Sequence, residues 1–121
     1  MLTLLLLGGS NCQVTAAQAA KAMGLRVVLA DYLERPPAAE LCDVHVRAST
    51  FDPEACIRAA REHGVDGVFT SGTDQPVLTA AKVAAALDLP SPISVDTAYK
   101  ATNKRDMKAA FLAYGVPCAP Y

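Results

Sequence analysis

The chain has 121 residues, 52% hydrophobic and 19% charged, with 11 Lys and Arg against 12 Asp and Glu for a net charge of −1. One domain with its own core is expected at this length, with no need of disulfide or metal staples. The balance excludes the basic footprint of a nucleic-acid binder, a basic membrane-surface stretch and a disordered composition.

The apolar run Leu2 to Leu7 is too short to span a bilayer. It lacks the basic flank and small-residue cleavage site of a signal peptide, and it reads as a buried central strand. Gly8-Gly9-Ser10-Asn11 turns the chain into a helix that runs through Met23 and is closed by Gly24. Ala16, Ala17, Ala19, Ala20 and Met23 give that helix a small packing face. Arg26 to Ala30 is the second strand, with Asp31 at its carboxyl end. Pro36-Pro37 marks a loop, Ala38 to Leu41 one helical turn, and Val44 to Val46 a short third strand. Asp52 caps the next helix with Pro53 at its first position, and Gly64 ends it. Ala55, Ile57, Ala59 and Ala60 are its apolar residues.

Gly67 to Thr70 is the fourth strand, followed by the loop Ser71-Gly72-Thr73-Asp74. Gln75 to Leu87 places Val77, Leu78, Ala81, Ala84 and Leu87 at helical core spacing. Pro90 and Pro92 interrupt the chain before a short helix, capped by Asp96, that runs to Lys100. A longer helix follows from Ala101 to Tyr114, with Asn103 as its cap. Gly115 is placed to end it in the left-handed conformation, and Pro117 bars its continuation. Alternating strands and helices predict an α/β domain of three layers, Rossmann-like, with a short parallel sheet.

Ligands of open α/β sheets sit beyond the carboxyl ends of the strands, and two loops lie there. Gly8-Gly9-Ser10-Asn11 combines glycines, which let a ligand approach the backbone, with a helix N-terminus, which attracts a carboxylate or phosphate. Equally, it is a tight turn with Ser10 or Asn11 as cap. Neither the dinucleotide fingerprint nor the P-loop pattern is present. Ser71-Gly72-Thr73-Asp74 offers two hydroxyls and a carboxylate to a polar substrate, or a helix cap through Thr73 or Asp74. Asp31, at the end of the second strand, is placed to accept a ribose hydroxyl, but without the glycine fingerprint it reads as a solvated loop carboxylate. The cysteines, Cys12, Cys42, Cys56 and Cys118, have no metal or redox spacing and read as reduced thiols. Cys12 lies in the first turn of a helix, but neither His45 nor His63 is near it in sequence. No catalytic triad or carboxylate pair is legible.

The pair Asn103-Lys104, the helix after it and the exit Gly115-Val116-Pro117 to Pro120 resemble the junction between the N-terminal and ATP-binding domains of ATP-grasp ligases. Biotin carboxylase, the carbamoyl phosphate synthetase large subunit and the purine-pathway carboxylate-amine ligases carry similar segments. The resemblance implies that residues 1–121 are a single pre-ATP-grasp domain, with 101–121 the junction toward a C-terminal ATP-grasp domain. It implies a parent enzyme, an ATP-dependent ligase that activates a small carboxylate as an acyl phosphate and joins it to an amine, using ATP and Mg²⁺. Lys104 then reaches the ATP phosphates, and the two strand-end loops contact substrate. The 121-residue chain alone is expected to be inactive, cytoplasmic, and in the parent protein open to homodimer formation. The alternative is a stand-alone small-ligand-binding or protein-interaction module with a flavodoxin-like sheet. Against it, the first strand end lacks the acidic cluster of a receiver, and only 6% of residues are aromatic.

Overall fold

The computed structural model describes residues 1–72, 75–91, 93–103, 109–110 and 113–115. Strands β1 (Thr3–Leu7), β2 (Arg26–Ala30), β3 (Val44–Val46) and β4 (Gly67–Phe69) form one sheet in the order β3-β2-β1-β4. Every pair in it is parallel, with Leu5 opposite both Val28 and Val68. Helices α1 (Asn11–Ala22), α2 (Pro53–His63), α3 (Gln75–Leu87) and α4 (Val95–Thr102) complete the fold, with a 3-10 turn at Pro37–Leu41. The expected three-layer α/β architecture is what the residues form.

β1 is a continuous leucine run because it has a strand on each side and helices over both faces. Successive side chains of a strand alternate between faces. Leu5 and Leu7 meet Val28, Ala30, Cys56, Ala60 and Val83 on the α2/α3 side. Leu6 meets Val27, Leu29, Ala17, Ala20 and Ala38 on the α1 side. Leu5, Leu6 and Leu7 are wholly buried, and each contributes about 1.5–3 kcal/mol relative to exposure. α4 packs on α3 through Ala98, Leu78 and Ala81.

Two aspartates fix the amino ends of the strands. Asp66 Oδ2 accepts the Thr3 N–H at 2.8 Å, and the Asp66 N–H returns to the Thr3 carbonyl at 2.8 Å. Asp43 Oδ2 accepts the Val27 N–H at 2.8 Å and pairs with Lys21 Nζ at 2.7 Å.

Several expectations change. On α1 the buried residues are Gln13, Ala17 and Ala20, whereas Ala19 and Met23 are exposed. The reason is that α1 covers only part of its face of the sheet. Ala19 and Met23 border an open apolar groove floored by Leu4 and Phe69 on the β4 side. In α2 the buried apolar residues include Cys56, and in α3 they include Val83. α4 is capped by Ser94, whose hydroxyl accepts the Thr97 N–H at 3.1 Å, so Asp96 lies inside the first turn. Ala101 and Thr102 close α4 rather than opening the next helix, and Asn103 follows in an extended conformation. Ala109, Ala110 and Ala113 are helical and Gly115 is left-handed, as expected. Tyr114 lies in the turn after Ala113, and residues 104–108, 111–112 and 116–121, Lys104 and Cys118 included, lie outside the described residues.

Candidate functional site

The carboxyl edge of the sheet gathers the turn after β1, the end of β2 and the loop after β4. Gly8 leaves β1 with φ at +94°, a conformation open to glycine at little cost, and its N–H still donates to the Ala30 carbonyl at 2.8 Å. Gly9 lies against the core. A Cβ there would come within 2.8 Å of Leu29 Cδ2 and 3.3 Å of Pro36 Cβ. Glycine is therefore demanded at position 9 by packing within the protein.

Asp31 holds this turn. Its side chain is buried, Oδ2 accepts the Gly9 N–H at 2.9 Å, and Oδ1 accepts the Leu33 N–H at 2.9 Å. The solvated carboxylate expected from sequence is instead a clasp across 22 residues of chain. Burial of Asp31 is possible because both oxygens find backbone donors.

Ser10 caps α1 together with Gln13. Gln13 Oε1 accepts the Ser10 N–H at 2.9 Å and also the Ser10 hydroxyl, while the Gln13 N–H returns to the Ser10 carbonyl at 2.9 Å. The Gln13 side chain is 1% exposed, and its Nε2 donates to the Ser71 carbonyl. One buried amide thus ties the first strand-end loop to the second. The spacing Ser10-x-x-Gln13 is that of a capping box, which is the signal that marks Gln13 in the sequence.

Gly72, with φ at +73°, lies against α1, where a Cβ would fall 2.8 Å from Cys12 Cβ. Thr70 Oγ1 donates to the Leu7 carbonyl at 2.8 Å, and Thr79 Oγ1 donates to the Thr50 carbonyl at 2.6 Å. His45 Nε2 is 3.1 Å from the Asp31 carbonyl oxygen.

A recess of about 150 Å³ opens between these elements, lined by Gly8, Ser10, Gln13, Asp31, Tyr32 and Thr50. Of the residues singled out from sequence, Gly8 and Ser10 line it, Gly9 packs behind it, and Ser71 is bonded to its wall through Gln13. Asn11 is exposed as the first residue of α1 and does not line it. Thr73 and Asp74, with their expected capping of α3, lie outside the described residues, as does Lys104. Sequence reasoning missed Gln13, Tyr32 and Thr50 as site residues.

Burial pushes the thiols of Cys42 and Cys56 up to about 11, helped by the charges of Asp43 and Asp52 respectively, with Lys21 opposing at Cys42. Cys12 is exposed. Among the described residues no three His, Cys, Asp or Glu side chains gather where a metal could be held. No described helix is long and apolar enough to cross a membrane.

Residues 17–91 match the family model of the ATP-grasp N-terminal domain. No curated protein matches the sequence. Among solved structures, phosphoribosylglycinamide synthetase from Anaerococcus prevotii is similar with a TM-score of 0.83 and 23% identity, over 94% of this chain and 29% of that one. The N5-carboxyaminoimidazole synthetase from Staphylococcus aureus, complexed with ADP, has a TM-score of 0.77 and 18% identity, over 98% of this chain and 31% of that one. An L-amino acid ligase from Bacillus licheniformis has a TM-score of 0.75 and 23% identity, over 97% of this chain and 31% of that one. The chain therefore spans 29% to 31% of the length of these three structures.

Proposed function

The chain belongs to the family of ATP-grasp N-terminal domains, and on that premise we propose that it forms the substrate-side wall of an ATP-dependent ligase. The observation that supports this most is that nearly the whole chain superposes on about a third of each of two synthetases and a ligase. The part that recurs among them is a scaffold, and the strand-end loops are where it meets substrate. In the proposed reaction a small carboxylate is activated by ATP as an acyl phosphate and captured by an amine.

The residues proposed to face the non-nucleotide substrate are Gly8, Ser10, Gln13 and Asp31 of the recess, together with Ser71, Gly72, Thr73 and Asp74. Gly9 and Asn11 shape the turn. Lys104 is proposed to reach the ATP phosphates. ATP supplies the phosphoryl group when bound. Magnesium, the usual partner of phosphoryl transfer, is assigned with ATP mainly to the C-terminal ATP-grasp domain. Residues 101–121 are the proposed junction to that domain. By itself this chain binds and orients without turning over, and the parent ligase is a cytoplasmic enzyme able to form a homodimer.

The test is ADP formation, followed by a coupled assay with a panel of carboxylates and amines. The product of the native gene is compared with the 121-residue chain, after the mass of that product has been measured. ADP release is expected from a longer product only, and Lys104→Ala is expected to raise its KM for ATP. ADP release by the 121-residue chain refutes its assignment as a non-catalytic wall. A native product of 121 residues refutes the junction.

A further inference from the structure

The recess at the carboxyl ends of β1 and β2 is lined by one carboxylate and by no cationic side chain among the described residues. A glycine-rich turn leading into a helix ordinarily offers its amide groups to an anion. Here the Gly8 N–H is used by the Ala30 carbonyl, the Gly9 N–H by Asp31 and the Ser10 N–H by Gln13. The Ser10 hydroxyl proton is also committed to Gln13. The next two residues of the helix, Asn11 and Cys12, do not line the recess. An anion placed there finds the amides of the turn already spent.

It also finds a like charge. Asp31, 7% exposed, is the only carboxylate among the described lining residues, which include no Lys, Arg or His. Arg47 lies nearby, but its Nε and Nη2 sit on the Tyr32 carbonyl at 3.3 Å, and it does not line the recess. A carboxylate has room for about four hydrogen bonds, and the backbone donors of Gly9 and Leu33 occupy one site on each oxygen. The recess, at about 150 Å³, is well below the roughly 300–1,000 Å³ of a pocket for a whole ligand. It has room for one end of a substrate.

We propose that this recess takes the ammonium end of an amino-bearing substrate, held against Asp31 with Ser10, Tyr32 and Thr50 around it. The carboxylate that receives phosphate then lies outside the recess. The use of such a site in ligation rests on the ligase reading above, whereas its choice of charge rests on the recess alone.

The experiment is a pair of NMR titrations of the ¹⁵N-labelled 121-residue chain at matched ionic strength, one with ethanolamine hydrochloride and one with inorganic phosphate. The amides of Gly9 and Leu33, both bonded to Asp31, are the reporters. Ethanolamine is expected to shift both saturably, with a midpoint at least about tenfold below that of phosphate, a modest demand on a facing unit charge after screening. Phosphate shifting them at equal or lower concentration overturns the proposal, and so does saturation by neither probe. The chain without substitution is the test, because Asp31 also holds the fold. An ethanolamine site in a protein whose native gene product forms no ADP keeps this proposal and removes the ligase reading. ADP formation with a phosphate-selective recess does the reverse.

Discussion

Asp31→Asn removes one acceptor from a carboxylate that uses both of its oxygens. Asparagine keeps a carbonyl oxygen for either Gly9 or Leu33, and turns an NH₂ group toward the other N–H. One bond of 2.9 Å is lost, and with the carbonyl kept on the buried Gly9 N–H the NH₂ group faces the half-exposed Leu33 N–H. A hydrogen bond to a charged group is worth about 1.5–3 kcal/mol, and the repulsion between the two donors adds to the loss. The expected loss is about 2–3 kcal/mol. An unfolding entropy of about 2.1 cal/mol/K per residue gives about 0.25 kcal/mol/K for a domain of this size, so Tm falls by about 8–12 °C. Urea denaturation followed by circular dichroism supplies the free energy, and the slope must stay constant for the comparison to hold. Asp96→Asn is the control. Asp96 pairs with Lys100 at 3.2 Å on the surface, and its loss is expected to cost under about 0.5 kcal/mol. If Asp31→Asn falls within the same small range, the clasp is not a structural element and the account of the turn fails.

Gly9→Ala places a methyl group 2.8 Å from Leu29 Cδ2, and overpacking of this kind is expected to cost about 1–3 kcal/mol by denaturant titration. Asp43 is held below its ordinary value by the Lys21 ammonium first and by the Val27 N–H second. A depressed carboxylate contributes stability above its unfolded value and loses it on acidification. The stability difference between wild type and Asp43→Asn is therefore expected to be constant near neutrality. It should shrink as pH falls through about 4 and below; urea midpoints across that range check this, and a gap that widens on acidification contradicts it. Thiol titration with a chromogenic disulfide at neutral pH is expected to modify Cys12 quickly. It should leave Cys42 and Cys56 slow, since their thiols are pushed up to about 11 and the thiolate is the reactive form. Rapid modification of either in the folded chain contradicts that burial.

The layers were legible because their causes are local. A leucine run buried on both faces, glycines that close α1 and α2, and Pro53 after the capping Asp52 each fix an element within a few residues. The errors arose where local signals compete or where the partner is remote. Ser94 and Asp96 are both good caps, and the chain uses the earlier one. Ala19 and Met23 have core spacing on α1, but no described element covers that stretch of the sheet. Cys56 and Val83 are buried by strands far away in sequence.

The strand-end turn was legible in position and its hydrogen bonding was not, for one physical reason. A strand-end turn rich in glycine has amide groups to give, and sequence does not say who takes them. Here the takers are a carboxylate 22 residues away and a glutamine side chain that continues across 58 residues to Ser71. Each is an intramolecular acceptor already in place, so an incoming anion must displace a bond rather than make one. Asp31 keeps unused acceptor capacity toward the recess, beside the hydroxyls of Tyr32 and Thr50. The same two side chains that close the fold at its carboxyl edge thereby occupy the amides an anion would use, and a substitution that frees them must first loosen the turn.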